Sequence, residues 1–222
     1  MIDIHTHILP NIDDGANSLE LSLLMIDEEI KNGINEIVLT PHFNSLKNND
    51  EYIQKVYESF HQLKSIINDK VSLKLGFEIF YQDGDIDLIK KNPFLTIDNT
   101  KYVLIEFHML NTSYDIDEIC YSFIVNGFKP ILAHPERYEH LSVDDILRIK
   151  KTGALIQVNS SSILGDFGKK IQKKVWKLLK KDGVDYIASD CHSMGIRKPN
   201  IQEAIKLVNK KLKKVWENKQ LI

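Results

Sequence analysis

The sequence predicts an α/β protein built on a parallel sheet, in the form of a (β/α) barrel or a near relative. Short apolar runs alternate with longer segments of helical period along the whole chain. The short runs are continuously apolar, as in strands that helices cover on both faces. The 222 residues are 43% hydrophobic, which is enough for one large core. We therefore expect a single domain over residues 1–222, with a doubly wound open sheet as the structural alternative.

Seven strands are predicted, each from a short apolar run. They cover residues 2–6, 36–40, 73–79, 102–107, 130–134, 155–159 and 186–189. Four amphipathic helices are predicted from apolar residues at helical spacing. Their apolar stripes span residues 19–30, 53–67, 171–179 and 201–212. Asn17 with Glu20 indicates the start of the first helix and Gly33 its end, and residues 43–50 are expected to form a mobile loop after the second strand.

Composition and charge exclude several classes of protein. The formal net charge is −2, from 29 basic and 31 acidic residues, so no global field attracts nucleic acid or an anionic membrane. The lysine-rich stretches 169–181 and 206–214 are expected to be solvated helix faces. Cys120 and Cys191 are too few for a disulfide framework and fit a reducing compartment. With no signal peptide and no long apolar run, the sequence predicts a cytoplasmic protein that does not insert into membranes.

Imidazole and carboxylate side chains lie at or just after the ends of six of the seven predicted strands. In chain order they are His5 and His7, His42, Glu78, Glu106, His134, and finally Asp190 and His192. In a parallel barrel these strand ends share one face, which is where such folds place their chemistry. The set contains five of the eight histidines, and we expect His61 and His140, which lie outside it, to be structural.

A single histidine or glutamate at a strand end is most simply a hydrogen-bonded structural group. Burying the whole set together without a cation, however, would cost on the order of several kcal/mol per charge. A cluster of divalent metals removes that cost. Mixed imidazole and carboxylate ligation suits zinc, manganese or iron(II) better than calcium or magnesium. The sequence therefore predicts a metal cluster at the strand ends.

In combination, these motifs resemble the PHP (polymerase and histidinol phosphatase) superfamily. The pattern is HxH at the first strand, DDG after it, PH at the second, E at the third, H at the fifth and DxH at the seventh. The phrases MIDIHTHILPNIDDG, LIEF, AHPERY and SDCH are similar, more narrowly, to its bacterial protein-tyrosine phosphatase branch, which serves capsular and extracellular polysaccharide systems. The resemblance implies a distorted (β/α)7 barrel with three metals at the C-terminal ends of the strands. Mn²⁺ is the metal it implies first, with Fe²⁺ and Zn²⁺ as alternatives.

The resemblance also implies which residues hold each metal. Three groups are expected, and they consist of His5, His7, Glu78 and Asp190 for the first metal, Glu78 as a bridge with Glu106 and His134 for the second, and Asp14, His42 and His192 for the third. Asp13 is the alternative to Asp14, because the sequence does not indicate which of the two carboxylates turns inward. Members of this branch usually carry a longer C-terminal segment, so the capping of the barrel and the oligomeric state stay open.

The implied reaction is hydrolysis of phosphotyrosine. We expect a metal-bound hydroxide to attack phosphorus directly, since a metal cluster both activates water and neutralises phosphoryl oxygens. Arg137 and Arg197 follow the fifth and seventh strands and are expected to bind the phosphate, whereas Arg148 lies on a helix. Asp190, His192 or a metal-bound water are the candidates for the general acid.

The segment CHSMGIR, from Cys191 to Arg197, matches the C-x5-R spacing of cysteine-dependent tyrosine phosphatases. In those enzymes a thiolate attacks phosphorus from a loop of backbone N–H groups. Here the loop has one glycine, no Ser or Thr follows the arginine, and the charge of Asp190 would raise the thiol pKa. We therefore interpret the match as accidental.

Two other classes of function share part of this pattern. A PHP nuclease or histidinol phosphatase would have the same metals, although the mild acidity and the lack of an aromatic and basic groove argue against a nuclease. A non-catalytic metal-binding scaffold is the third reading. The partner that the resemblance implies is a membrane-associated bacterial tyrosine kinase with a phosphotyrosine-rich tail. Phe43 and Tyr81 are possible contacts for the tyrosine ring.

Overall fold

A computed structural model describes residues 1–110, 113–218 and 221. This part of the chain contains nine strands, eight α-helices and three short 3₁₀ helices. The strands are β1 (Ile2–Thr6), β2 (Glu36–Leu39), β3 (His42–Phe43), β4 (Ser72–Leu75), β5 (Glu78–Phe80), β6 (Tyr102–Glu106), β7 (Lys129–Leu132), β8 (Leu155–Asn159) and β9 (Tyr186–Ala188). The α-helices are α1 (Leu19–Lys31), α2 (Asp50–Ile67), α3 (Asp85–Lys91), α4 (Ile116–Val125), α5 (Val143–Lys151), α6 (Ser160–Leu164), α7 (Lys169–Lys180) and α8 (Ile201–Leu212). The 3₁₀ helices are Pro93–Leu95, Ile97–Asn99 and Pro135–Arg137.

All seven predicted strand positions are present, but the second and third are each interrupted. Pro41 separates β2 from β3, because proline has no N–H to donate to a neighbouring strand. The matching break between β4 and β5 falls at Gly76, whose N–H donates to the Leu39 carbonyl over 2.9 Å. Beyond the break the Glu78 N–H donates to the Pro41 carbonyl over 3.1 Å. The two interrupted strands therefore stay aligned above and below their breaks.

All strand pairs are parallel, and the sheet returns to its first strand. The pairing orders are β1-β2-β4 and β3-β5-β6-β7-β8-β9. The chain after β9 then pairs with β1: the Asp190 N–H donates to the His5 carbonyl, and the His7 N–H to the Cys191 carbonyl, both over 2.9 Å. An open doubly wound sheet has no such connection between its last and first strands. The predicted barrel-type fold is therefore confirmed, and the open-sheet alternative is wrong.

Two layers of apolar side chains fill the molecule. A small cluster, which includes Ile2, Ile4, Leu104 and Tyr186, lies inside the curled sheet and occupies alternate strand positions. A larger cluster contains the intervening strand residues and the apolar faces of the helices, and so fills the space between sheet and helices. The continuous apolar runs of the sequence have this cause, since each strand packs apolar side chains on both of its faces.

Strand β1 contains an irregularity that the sequence pattern does not reveal. Asp3 pairs with Ile37, and Thr6 pairs with Leu39, so three steps along β1 match two steps along β2. An extra residue of this kind is a β-bulge, and it reverses the alternation of side chains beyond it. Ile4 faces the inner cluster and His5, the next residue, also faces the interior of the sheet. Because of the bulge, the side chains that β1 directs into the barrel change from apolar to polar within this one strand.

The helix boundaries follow local signals, with two corrections. The N-cap of α1 is Ser18, not Asn17 as predicted, because the Ser18 hydroxyl accepts the Leu21 N–H over 3.2 Å. Gly33 follows the end of α1 at φ +77°, as predicted from the residue type. The predicted loop over residues 43–50 is shorter, because Phe43 belongs to β3 and Asp50 begins α2. Among the described residues, no helix combines the length and apolar character that crossing a membrane requires.

The segment after α8 covers the end of the barrel at which the strands begin. The Asn218 side chain donates to the carbonyls of Ile2 and Ile187 over 2.9 and 2.6 Å and accepts the Ile187 N–H over 3.0 Å. It thereby satisfies backbone groups of β1 and β9 at once. Leu221 adds an apolar side chain to the inner cluster. Asn218 and Leu221 therefore cap this end of the barrel.

We expect Asn218→Ala to destabilise the fold by about 2 kcal/mol, since it leaves backbone groups of two strands without partners. Urea denaturation followed by circular dichroism measures the effect. Asn126→Ala is the control, because that side chain makes a single bond to Ser122 at the end of its own helix. Equal stability of the two variants would contradict the capping role of Asn218.

Candidate metal centre

The structure brings all nine predicted ligand residues to the C-terminal ends of the strands. They form four overlapping groups in which the candidate ligand atoms lie within 4.8 Å of one another. The groups are His7, Asp14, His42 and His192; His5, His7 and Asp190; His5, Glu78 and His134; and His42, Glu78 and Glu106. Because residues recur between the groups, the four form one continuous cluster.

Glu78 is the centre of this cluster. Its Oε1 lies 3.3 Å from His5 Nε2 and 3.0 Å from His134 Nε2. Its Oε2 lies 3.3 Å from His7 Nε2 and 2.9 Å from His42 Nδ1. The side chain is fully buried at the start of β5, where the break in the strand brings it level with His42 of β3. A carboxylate with each oxygen against different imidazoles has the geometry that a bridging ligand needs.

Asp190 joins the cluster to both predicted phosphate-binding arginines. Its Oδ1 accepts a hydrogen bond from Arg197 over 2.6 Å, and its Oδ2 accepts one from Arg137 over 3.3 Å. Asn159 of β8 donates to the same Oδ2 over 2.6 Å. Burial alone would raise the pKa of Asp190, but the charges of His5 and Arg197 outweigh it and hold the pKa well below its usual range. The two guanidinium groups therefore lie at the edge of the cluster.

The structure distinguishes the two adjacent aspartates. Asp14 Oδ1 lies 3.3 Å from His42 Nε2 and 3.2 Å from His192 Nε2, so Asp14 completes that group. Asp13 Oδ2 instead accepts from His7 Nδ1 over 2.7 Å, on the side of the ring away from the cluster. An outer carboxylate of this kind fixes the orientation of an imidazole ligand. Gly15 allows the turn, since a Cβ there would lie 2.1 Å from the His7 carbonyl oxygen.

Two of the nine residues have strained backbones. His134 has φ +34° and Asp190 φ +50°, in the left-handed region that residues with a Cβ rarely adopt. Each such residue costs on the order of 1 kcal/mol or more, and such strain is concentrated at functional sites. Each lies two residues beyond the end of its strand, His134 after β7 and Asp190 after β9. The strained conformation turns their side chains into the cluster.

Neighbouring carboxylates oppose the effect of burial on the pKa values of two of the imidazoles. Burial is the largest influence on His5 and His42, and alone it would lower their pKa values. For His5 the charges of Glu78 and Asp190 together outweigh burial and raise the pKa to about 9. For His42 the charge of Glu78 and the contact with Asp14 raise the pKa to about 11. The cluster therefore favours positive charge at its centre.

On the side of the cluster formed by β6 and β7, burial determines the direction of the pKa shifts. Burial lowers the pKa of His134 to about 4, in spite of its contact with Glu78. Burial, with the charge of Glu78 next in importance, raises the pKa of Glu106 to about 8. His134 is therefore neutral near pH 7, which is the form of imidazole that binds metals.

The residues of the cluster fit divalent metal ions. Glu78 Oε2 and His192 Nε2 are buried and lie close to His42 Nδ1 and Asp14 Oδ1, but within the described part of the chain neither contact has the geometry of a hydrogen bond. Buried polar atoms without partners are uncommon in native proteins, and a metal ion would satisfy them. Imidazole nitrogens and carboxylate oxygens in combination suit manganese, iron(II) and zinc. The chemistry of the donors thus agrees with the metals that the sequence predicts.

Cys191 lacks the environment of a thiolate nucleophile. Its side chain is fully buried, and its Sγ lies 4.0 Å from Glu29 Oε1. Burial and the neighbouring carboxylates of Glu29 and Asp3 raise the pKa of the thiol well above its usual value. Arg197, at the other end of the C-x5-R segment, contacts Asp190. The geometry agrees with the interpretation of this segment as an accidental match.

Strand β8 contributes residues that the sequence analysis missed, because amides were not among the ligand types considered. Gln157 Oε1 lies 3.1 Å from His5 Nδ1 and accepts the His134 N–H over 3.1 Å. Asn159 follows two positions later on the same face and contacts Asp190. The polar residues at alternate positions in LIQVN were the available signal, since every other position of a buried strand faces the same side.

The two aromatics suggested as contacts for a tyrosine ring are both largely buried, but Phe43 is among the residues that line a cavity beside the cluster, whereas Tyr81 is not in that lining. Phe43 is 3% exposed and packs against Phe77, and Tyr81 is 7% exposed and packs against Phe107. Both side chains belong to the larger apolar cluster between sheet and helices. The cavity has a volume of about 410 Å³. Its walls include Ile12, His42, Lys47, Tyr52, Phe80 and Glu106.

Known proteins resemble the chain over nearly its whole length. It is 32% identical to CapC from Staphylococcus aureus, covering 98% of this chain and 86% of that protein. It is also 32% identical to the tyrosine-protein phosphatase YwqE from Bacillus subtilis, covering 95% of this chain and 84% of that protein.

Solved structures also resemble this chain over nearly its whole length. One of them belongs to a study of YwqE from Bacillus subtilis and CpsB from Streptococcus pneumoniae, which describes these proteins as unique metal-dependent tyrosine phosphatases. It has a TM-score of 0.86 and 30% identity and covers 96% of this chain and 88% of that one. A histidinol phosphate phosphatase from Lactococcus lactis has a TM-score of 0.61 at 15% identity, covering 95% of this chain and 94% of that one, and shares the fold alone.

The predicted resemblance to the tyrosine-phosphatase branch of the PHP superfamily is thereby confirmed. The family match covers residues 1–222, which is every residue of the sequence. The family is described as capsular polysaccharide synthesis, CpsB/CapC. The chain belongs to the CpsB/CapC family.

Proposed function

We propose that this protein is a metal-dependent protein-tyrosine phosphatase that forms a single PHP-type domain over residues 1–222. The observation that carries the proposal is the convergence of nine imidazole and carboxylate side chains at one end of the barrel. Relatives at about 30% identity are named as tyrosine-protein phosphatases, which supports the substrate class. We further propose that it acts in the cytoplasm on the phosphotyrosine tail of a bacterial tyrosine kinase that regulates capsule or exopolysaccharide synthesis.

Three groups of residues would hold the metals. They are His5, His7, Glu78 and Asp190; Glu78, Glu106 and His134; and Asp14, His42 and His192, with His7 also close to this last group. Mn²⁺ is the metal that we propose, with Fe²⁺ and Zn²⁺ as alternatives. Bound divalent cations lower the pKa of coordinated water toward neutrality and neutralise phosphoryl oxygens.

Arg137 and Arg197 would bind the phosphate group. Both guanidinium groups lie at the edge of the cluster and are partly exposed, with 18% and 26% of the side chains accessible. Each donates to a different oxygen of Asp190, which holds the pair on the same side of the cluster. Arg137 is supported from behind by Phe167, whose ring centroid lies 4.9 Å from the guanidinium carbon. Two guanidinium groups in this arrangement can donate to the non-bridging oxygens of one phosphate.

The tyrosine ring would lie in the cavity beside the cluster. Ile12 and Phe80 are partly exposed and give the cavity apolar walls next to His42 and Glu106. A ring in this position would direct its phosphate toward the metals and its peptide backbone toward solvent. The leaving phenolate has a pKa of about 10, so it needs less help from a general acid than an alkyl oxygen does. Of our two side-chain candidates for that acid, His192 is better suited than Asp190, whose depressed pKa leaves its carboxyl group ionised near neutral pH.

We expect chelator treatment to abolish hydrolysis of a phosphotyrosine peptide and added Mn²⁺ to restore it. Phosphate release is measured from that peptide, from histidinol phosphate and from an oligonucleotide, each with Mn²⁺ and with chelator. Elemental analysis of protein purified without chelator identifies the bound metal. Faster turnover of either other substrate would overturn the proposed substrate class, and no turnover by metal-loaded protein would favour a scaffold.

We expect Arg197→Met to lower kcat/KM for the peptide roughly 10- to 100-fold, because a charge-assisted hydrogen bond to the phosphate is lost. Methionine keeps the aliphatic volume of the side chain. Arg148→Met is the matched control, since Arg148 lies on α5 and pairs with Asp117 and Asp145. Metal content is measured for both variants. A metal-loaded Arg197 variant that matches the control in kcat/KM would exclude the phosphate-binding role.

We expect Cys191→Ser to retain kcat/KM within about threefold of the unaltered protein, since the buried thiol takes no part in the proposed reaction. Peptide hydrolysis and metal content are measured together. Loss of all activity with normal metal content would instead establish a covalent mechanism through Cys191.

A further inference from the structure

The β-bulge in β1 contains the first proposed metal ligand, His5. The register shift falls between Asp3 and Thr6, so the backbone of this stretch departs from regular pairing with β2. His5 would face the opposite side of the strand without the extra residue, because side chains alternate along a regular strand. The direction of His5 and of His7 therefore depends on how the bulge is held.

The Asp3 carboxylate holds this bulge from inside the protein. It is fully buried, and its Oδ1 accepts the His5 N–H over 3.2 Å. Both of its oxygens also lie 3.2 Å from the Ser189 nitrogen, as acceptors of that N–H. Ser189 directly precedes Asp190, which is a second proposed ligand. One side chain thus bonds the backbone next to ligands from the first and the last strands of the barrel.

Glu29 of α1 reaches the same place. It is fully buried, its carboxyl group contacts Asp3 and Ser189, and its Oε2 has no hydrogen-bond partner among the described residues. Two buried acids side by side are costly for stability, whereas apolar side chains of similar volume would fill the same space without that cost. Their presence between α1 and the barrel therefore indicates a role other than packing.

We propose that Asp3 is a positioning residue of the metal centre, which orients His5 and Asp190 toward the metals by fixing the backbone of both segments. The inference rests on the proposed metal-dependent function. Asp3 lies behind the ligands and touches neither metal nor substrate. Hydrogen-bond partners of metal ligands typically change metal affinity 10- to 100-fold when they are replaced. We extend that expectation to a group that acts through the ligand backbone.

The test is direct measurement of Mn²⁺ binding by titration calorimetry on the full-length protein after chelator treatment. We expect Asp3→Ala to raise the dissociation constant roughly 10- to 100-fold, because the His5 and Ser189 N–H groups both lose their acceptor. Asp3→Asn keeps one oxygen that can accept both N–H groups. We therefore expect the asparagine variant to recover most of the affinity that the alanine variant loses.

Asp185→Ala is the matched control. The Asp185 carboxylate is also largely buried and accepts a backbone N–H, that of Ile156, over 2.9 Å, but it lies at the opposite end of the strands. We expect it to lower the melting temperature of the metal-free protein while leaving the Mn²⁺ dissociation constant unchanged. A general loss of stability would affect both variants alike, so the comparison separates positioning from folding.

Ser189→Ala provides a milder variant in case Asp3→Ala does not fold. The Ser189 hydroxyl interacts with the Asp3 carboxyl group and accepts the Cys191 N–H over 3.2 Å. Its loss is expected to weaken Mn²⁺ binding roughly two- to tenfold. Unchanged affinity in every variant that folds would overturn the proposal. If the unaltered protein binds Mn²⁺ yet hydrolyses no phosphotyrosine, the proposed function fails, while the role of Asp3 is still decided by the affinities.

Discussion

The contact on which the centre depends is that between the buried Glu78 carboxylate and four imidazoles. These rings come from β1, from β3 and from the end of β7, so one carboxylate connects strands on different sides of the barrel. A charge of this kind is stable in the interior only among groups of opposite charge. The end of the barrel at which the strands finish therefore cannot be filled with apolar side chains, as the opposite end is. Its polar groups must all be present together to stabilise one another.

Assembling that set takes local geometry that regular strands do not provide. The bulge in β1 directs His5 inward just after Ile4, and His134 and Asp190 adopt left-handed backbones. Each of these features is less stable than a regular strand end. Their coincidence at one end of the barrel indicates that the arrangement is maintained for the chemistry of the centre, while the stability of the protein comes from the two apolar layers and from the cap around Asn218.

Much of this architecture could be predicted from the sequence, because buried parallel strands leave continuous apolar runs and their ends coincide in space. The breaks at Pro41 and Gly76 could not, since they depend on how neighbouring strands align. The sequence also does not show which of Asp13 and Asp14 faces the cluster, because that depends on the turn that Gly15 permits. Asp3 escaped notice because it lies inside a strand and not at a strand end, and the bulge that places it on the opposite face from His5 cannot be recognised in the sequence.

The centre takes its side chains from segments that are far apart in the sequence. His5 and His7 are synthesised long before Asp190 and His192. The backbone bonds between β1 and the segment after β9 form only when both are available. A chain of which only the earlier strands have been synthesised can therefore present isolated histidines but not the assembled cluster, so complete loading with metal would have to wait for the segment after β9.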